Sequence, residues 1–404
     1  MAEVPESVSA YPKVILHAKR ASPFYARHPW VYPGPIDRVE GEPADGGVVD
    51  VCAANGSFIA RGLFNSHSKI RVRLLAWDES QPIDEAFFRL RVSQAISLRE
   101  ALGFRVPGAS CRLVFSEADR LPGLVVDDYA GWLVIQVTSL GLVTRLDMLV
   151  QILDDLLHPR GIYLKTDAGM AKLEGMETTD RLLRGEFPPP GLMIEENGLH
   201  FEVDLTQGQK TGYYLDQRDN RQLVARFAGG RRVLDLFCYA GGFGLHAARA
   251  GAKHVEFVDG SEHAVELARK NALLNGLTGD NTFVKADAFK YLEAQVIARR
   301  RFDLVVLDPP KFARSANTVG EALNGYRRLY SLGMRLLEPG GILAVCCCSG
   351  LILPGMIEEL LGRLASSERR DIQVLTKLTQ PADHPVAVTC PESAYLKGYI
   401  CRVL

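Results

Sequence analysis

Five short apolar runs in the second half of the chain restrict its fold more than any other feature: "RRVLDLF" (231–237), "HVEFVD" (254–259), "NTFVKAD" (281–287), "FDLVVLD" (302–308) and "GGILAVCCC" (340–348). Amphipathic helical segments separate them. Strands that are apolar along their whole length and joined through helices predict a mostly parallel sheet covered on both faces. Ligands of such sheets bind at the carboxyl ends of the strands. The first four runs carry an acid at or near that end: Asp235, Asp259, Asp287 and Asp308. The fifth ends in three consecutive cysteines, Cys346, Cys347 and Cys348. One rim is therefore expected to gather four carboxylates and a thiol.

The remaining sequence predicts two smaller domains. Residues 1–80 alternate short β-type runs ("VVDVCA", "SFIARGLF", "KIRVRLLAW") with Gly, Pro and Asn breaks, the pattern of a small β-barrel or sandwich. Residues 81–190 mix helix and strand. "LVVDDYAGWLVIQV" reads as a hairpin turning at Ala130-Gly131, and Leu146, Leu149, Val150, Leu153, Leu156 and Leu157 form one helical stripe. "EFPPPG" (186–191) is a stiff linker to the third domain, 191–404.

Composition narrows the function classes. With 47% apolar and 24% charged residues the chain is ordinary for a globular protein. "MAEVPESVSAYPK" lacks the layout of a signal peptide, and no apolar run is long enough to span a membrane. A cytoplasmic protein with reduced thiols and no membrane association is expected. No pair of cysteines has C-x-x-C spacing, so no metal is expected either. The net charge of −1 excludes a uniformly basic nucleic-acid coat. Its distribution is uneven, however. Residues 7–36 lack any acid but hold Lys13, Lys19, Arg20 and Arg27, and residues 51–77 lack any acid but hold Arg61, Lys69, Arg71 and Arg73. Chance clustering on a solvated face would explain this; a face that meets phosphates is the sharper reading.

The motifs at the rim carry the chemistry. "VLDLFCYAGGFGLHAA" sets Asp235 on a strand, then a turn with Gly241, Gly242 and Gly244, then a helix whose first N–H groups lack partners. Gly242, Gly244 and Ala247 also satisfy G-x-G-x-x-A, a weak signal by itself. Asp259 is placed to accept the two hydroxyls of a ribose, and Ser261 to cap the next helix. Asp287 falls near the adenine position. Capping or solvation is the bland alternative for each acid, but four acids at successive strand ends make coincidence a poor account. "LVVLDPPKF" (304–312) adds a rigid Pro-Pro turn directly after Asp308. The combination resembles class I S-adenosylmethionine-dependent methyltransferases.

Longer motifs sharpen the resemblance. "RHPWV" (27–31), "QKTGYYLDQRDNR" (209–221), "VLDLFCYAGGFG" (233–244), "LDPPKF" (307–312), "CSGL" (348–351), "ADHPV" (382–386) and "YLKGYICRV" (395–403) are similar to those of RlmI-type ribosomal RNA cytosine-5 methyltransferases. The resemblance implies an N-terminal PUA domain for RNA, a central α+β domain, and a Rossmann-like catalytic domain with a mostly parallel seven-stranded sheet. It implies S-adenosyl-L-methionine as cofactor, held by Asp235, Phe237, Gly241, Gly242, Gly244, Asp259, Ser261, Asp287 and Asp308. It also implies large-subunit ribosomal RNA as partner and Cys348 as nucleophile. A homodimer is admitted but not required.

Two departures bear on the chemistry. Lys311 stands after D-P-P where purine N-methyltransferases carry an aromatic residue and many RNA cytosine-5 methyltransferases carry a second cysteine. The base that removes the C5 proton is thus unassigned, with Asp308 the first candidate. The competing functions are a purine N-methyltransferase acting on rRNA, a nicotinamide-dependent dehydrogenase, and a catalytically inactive RNA-binding protein.

Overall fold

The apolar runs become the strands their composition demands. In the computed structural model, which describes residues 11–106, 108–206, 208, 211–313 and 315–404, they form β1 (Arg232–Leu236), β2 (His254–Asp259), β3 (Asn281–Lys285), β4 (Phe302–Leu307) and β5 (Leu337–Cys347). Two further strands, β6 (Ile372–Thr379) and β7 (Lys397–Val403), complete a seven-stranded sheet of order β3-β2-β1-β4-β5-β7-β6. The first five are mutually parallel, and β7 runs antiparallel between β5 and β6. That reversal brings the start of β7 to the carboxyl end of β5, so Lys397 pairs with Cys347. The order turns back on itself between β1 and β4, the place where open α/β sheets open a crevice.

Contacts divide the chain into two compact units, 1–189 with 383–393, and 190–382 with 394–404. The second unit holds the seven-stranded sheet and a hairpin, Leu192–Glu196 and Leu199–Val203. Leu234, Val305, Leu343, Tyr326, Tyr330 and Leu361 share its fully buried core.

The first unit holds two sheets. Six strands between Lys13–Leu16 and Val72–Ala76 form one, around a core including Val14, Val49, Val51 and Leu74. Five strands between Ser110–Phe115 and Arg181–Gly185 form the other. The Ala130-Gly131 turn is as expected: Leu124–Tyr129 pairs antiparallel with Trp132–Val137, and both turn residues have positive φ, 51° and 95°. The leucine stripe becomes the helix Leu146–Leu157.

Residues 383–393 correct the expected 191–404 domain. They pack in the first unit because buried polar groups hold them there. Fully buried Arg99 donates to the Asp383 carbonyl at 2.7 Å and to Asp119 at 2.7 Å, and Asp383 Oδ2 accepts from the Arg112 amide at 3.1 Å. Among the described residues no helix is long and apolar enough to cross a membrane.

Candidate active site at the sheet rim

The turn after β1 is built by backbone that few side chains tolerate. Phe237 (φ 65°), Tyr239 (φ 47°) and Gly241 (φ 82°) all lie in the left-handed region. Such backbone costs energy at non-glycine residues and collects at functional sites. The turn is tied down from β2: the Phe237 and Cys238 amides both donate to the Val258 carbonyl, at 2.9 and 3.1 Å. The helix Gly242–Arg249 follows. Its glycines answer to packing. A Cβ on Gly244 would lie 2.2 Å from the Phe257 ring on β2, and one on Gly242 would lie 2.4 Å from Arg221 Nε.

Asp235 is 1% exposed, and only one of its oxygens is engaged. Oδ2 accepts from the Gly244 amide at 2.8 Å, while Oδ1 is buried with no hydrogen-bond partner among the described residues. Burial, followed by the nearby Asp308 and Asp259 charges, pushes its carboxyl up to about 7, against the opposing pull of the Gly244 amide and Arg221. A buried, half-satisfied carboxylate is what a cationic or hydrogen-donating ligand group requires.

Asp259, at the end of β2, is half-buried. Its Oδ2 accepts from the Tyr239 amide at 3.1 Å and its Oδ1 from the Ser261 amide at 2.9 Å. An ionised carboxylate has about four acceptor positions, so both oxygens keep capacity for a diol. Ser261 and Asp287 serve as helix caps. The Ser261 hydroxyl accepts from the Ala264 amide at 3.3 Å, and exposed Asp287 accepts from the Lys290 amide at 3.0 Å.

The other half of the rim holds the sulfur chemistry. Cys346 and Cys347 are each 1% exposed, within β5, whereas Cys348 is half-buried and lies one residue beyond it. Cys347 contacts the Tyr326 hydroxyl through Sγ at 3.4 Å. Burial, and then the Asp308 charge, drives the Cys346 thiol well above its ordinary range. The turn after Cys348 is fastened from two sides. Ser349 Oγ donates to the Ala313 carbonyl at 3.3 Å, and Lys397 Nζ donates to the Ser349 and Ile352 carbonyls, both at 2.6 Å. The Asp308-Pro-Pro loop and β7 thus fix where Cys348 stands. Lys397 is 7% exposed. Burial lowers its ammonium from the usual lysine range, and the charges of Cys347 and Cys348 pull it back up.

Sequence reasoning missed three groups here. Lys397 sits in "YLKGY", Tyr214 in "TGYYLD" and Tyr239 in "VLDLFCYAGGFG", motifs quoted without assigning these side chains a task. The Tyr214 phenol is held above its ordinary range by burial first, then by Asp308, with Cys348 a smaller influence; its ring stands edge-on to Tyr239 at 5.5 Å. Tyr239 donates its hydroxyl to the Gly212 carbonyl at 2.9 Å. Gln209 and Lys210 of the same motif, like residues 1–10, lie outside the described residues.

The basic residues of the first unit separate by burial. Lys19, Arg20, Arg27 and Lys69 are exposed, and Lys13 and Arg71 are half-buried. Arg73 must be withdrawn from the phosphate-facing set. It is 4% exposed and its guanidinium donates to Glu174 at 2.8 Å and to the Thr138 carbonyl at 3.2 Å. Lys69 and Arg71 also precede the strand, which starts at Val72.

This sheet order, with a glycine turn after its first strand and acids along its rim, defines a class I S-adenosylmethionine-dependent methyltransferase. Residues 179–401 match the family described as S-adenosylmethionine-dependent methyltransferase, and residues 14–77 match the PUA-like domain. Among curated relatives, the protein named ribosomal RNA large subunit methyltransferase I from Aeromonas salmonicida is 41% identical over 93% of this chain and 95% of its own. Its namesake from Erwinia tasmaniensis is 39% identical over 97% and 99%. A protein described as a methyltransferase and solved with SAH shares the fold at a TM-score of 0.85, with 20% identity over 96% of this chain and 99% of its own. The chain belongs to the S-adenosylmethionine-dependent methyltransferase family, among the large subunit methyltransferase I proteins.

Proposed function

We propose that the chain methylates C5 of one cytosine in large-subunit (23S) ribosomal RNA through a covalent bond to Cys348, in the cytoplasm. The observation that carries this reading is the state of the cysteines. Seven of the eight are buried, and the half-buried one stands at the rim, in the electrostatic neighbourhood of Tyr214 and Lys397. Phe312 supports a pyrimidine over a purine amino group: its ring packs on Tyr326 at 4.7 Å, leaving exposed Lys311 directly after D-P-P. The names of the curated relatives support the RNA.

The reaction needs a nucleophile because cytosine C5 is unreactive toward an alkyl donor until C6 is attacked. Cys348 Sγ adds to C6, and the displaced π pair makes C5 enamine-like. S-adenosylmethionine, when bound, would supply the electrophilic methyl group that the C5 electron pair takes, the S–CH3 bond breaking to leave a neutral thioether. A base then takes the C5 proton, the electron pair reforms the C5–C6 double bond, and Sγ leaves as thiolate. Asp308 is the first candidate for that base. For the cofactor, the half-satisfied Asp235 and the twofold-accepting Asp259 fit a cationic amino acid moiety and a ribose respectively. Phe237 and the Gly241–Gly244 turn complete that wall.

The reading is tested by incubating 23S rRNA lacking the modification with enzyme and cofactor, then sequencing after bisulfite. A single newly protected cytosine supports it; methyl incorporation at a purine would promote the N-methyltransferase instead. Two variants probe the parts. Asp259→Ala is expected to weaken cofactor binding by about 10- to over 100-fold, from about 1.5–3 kcal/mol for hydrogen bonds to a charged acceptor. Calorimetry showing unchanged affinity would take Asp259 out of the site. Lys397→Met is expected to raise the thiol pKa of Cys348, so the lost activity should be largest at low pH and recover as pH rises. A loss that is the same at every pH would mean that Lys397 only fastens the turn.

A further inference from the structure

Three arginines in the first unit line one cavity and, among the described residues, have no counter-ion within 4.0 Å. The cavity, about 330 Å³, is lined by Arg27, Arg91 and Arg120 together with Trp77. Arg91 comes from the helix Glu85–Ala101, Arg27 follows the short helix Ser22–Tyr25, and Arg120 ends the turn Ser116–Asp119. Among the described residues none of the three guanidiniums forms an ion pair within 4.0 Å. Arg91 and Arg120 instead share one neutral acceptor, Gln94 Oε1, at 3.5 and 2.6 Å. Arg91 Nε is buried with no hydrogen-bond partner among the described residues. The two carboxylates on the cavity wall are engaged elsewhere. Glu117 accepts from Trp30 Nε1 at 2.8 Å and lies 3.9 Å from Arg73, and Asp78 accepts from the Ser80 amide and hydroxyl.

Three like charges left facing one another raise the energy of the folded chain, and burial followed by Arg120 and Arg27 lowers the Arg91 guanidinium to about 10. The backbone adds a second cost. Arg27 and Arg120 hold φ of 66° and 59°, left-handed positions that glycine or asparagine would occupy with less strain. Strain of this kind persists where the side chain has a task. Guanidiniums offer forked donors suited to phosphate oxygens, and Trp77 adds aromatic surface to the same wall.

We propose that Arg27, Arg91 and Arg120 form a phosphate-binding pocket for the backbone of the substrate RNA. The inference rests on the RNA reading above and adds to it a specific anchoring site, two of whose arginines lie outside the acid-free stretches. The test is the triple variant Arg27→Gly, Arg91→Met, Arg120→Gly. The two glycines relieve the positive φ and the methionine keeps the helix packing, so the fold should survive, as thermal melting can verify. Binding of a fluorescein-labelled 23S rRNA fragment is measured against salt for the full-length wild type and variant. Each lost phosphate contact on a single strand removes about 0.7 from the slope of log affinity against log salt, so a decrease of about 2 is expected, with affinity near 0.1 M salt lower by about 10- to 100-fold. Equal slopes and affinities, with a wild type that binds and methylates RNA, would overturn the pocket and leave the RNA reading standing. A wild type that binds no RNA would overturn both. Inorganic phosphate is titrated in parallel: phosphate bound by the wild type alone, with RNA affinity unchanged in the variant, would assign the pocket to a free anion and also overturn the proposal.

Discussion

Cys348→Ser is expected to lower methyl transfer by on the order of 10³-fold or more, because on the proposed mechanism Cys348 supplies the covalent step and it is the one cysteine among the described residues that is not buried. Cofactor binding should stay within about twofold, since the serine keeps the volume and the thiol is not among the groups assigned to the cofactor. The size of the effect follows from acidity. An ordinary thiol with a pKa near 8.5 is a few per cent ionised at pH 7, and a serine hydroxyl supplies essentially no alkoxide there. The same chemistry gives a direct readout. RNA carrying 5-fluorocytosine can accept the sulfur at C6 and the methyl at C5, but fluorine cannot leave as a proton does, so the adduct should persist on a denaturing gel. Wild type should form it, Cys348→Ser should not, and Cys346→Ala should, because Cys346 is sealed within β5. Full turnover by the serine variant would end the covalent reading. The target base must also leave its stack to reach Sγ, so an adduct that forms faster on single-stranded than on duplex RNA is a further expectation.

The sequence carried the catalytic sheet well because its signal is local. Buried parallel strands are apolar on both faces, and each acid sits within the last two residues of its strand or directly after it, so Asp235, Asp259, Asp308 and Cys348 could be placed on one rim by counting residues. What counting could not supply is direction and partnership. Nothing in "KIRVRLL" distinguishes Arg71, half-buried, from Arg73, buried against Glu174 a hundred residues away. Asp383 was equally opaque: "ADHPV" lies between two strands of the catalytic sheet, yet its polar groups are satisfied by Arg99 and Arg112 of the first unit. The antiparallel entry of β7, which brings Lys397 beside Cys347, depends on sheet closure rather than on any pattern within "YLKGY". The arginine pocket was invisible for the same reason, since its three members come from separate elements.

The pH dependence of cofactor binding tests the other half of the rim. Asp235 is raised to about 7 in the folded chain from an ordinary 3.8, with burial the largest cause and Asp308 and Asp259 adding to it. A raised carboxyl holds its proton more tightly folded than unfolded. Its contribution to stability is therefore fully present below about pH 4 and fades as pH rises through about 7. The cofactor reverses that preference. Its sulfonium and ammonium groups are cationic, and the buried Oδ1, with no hydrogen-bond partner among the described residues, is where positive charge or a donor would be favoured. Binding should release a proton, so affinity is expected to climb about tenfold per pH unit up to about 7 and level off above. Asp235→Asn keeps the shape and can still accept from the Gly244 amide. It should bind about 10- to 100-fold more weakly at pH 8, the range for a lost charged hydrogen bond, with a nearly flat profile below. Calorimetry from pH 5.5 to 8.5 in buffers of different ionisation enthalpy measures affinity and proton release together. A flat wild-type profile without proton release would show that Asp235 does not meet the cofactor's charge and holds only the glycine turn.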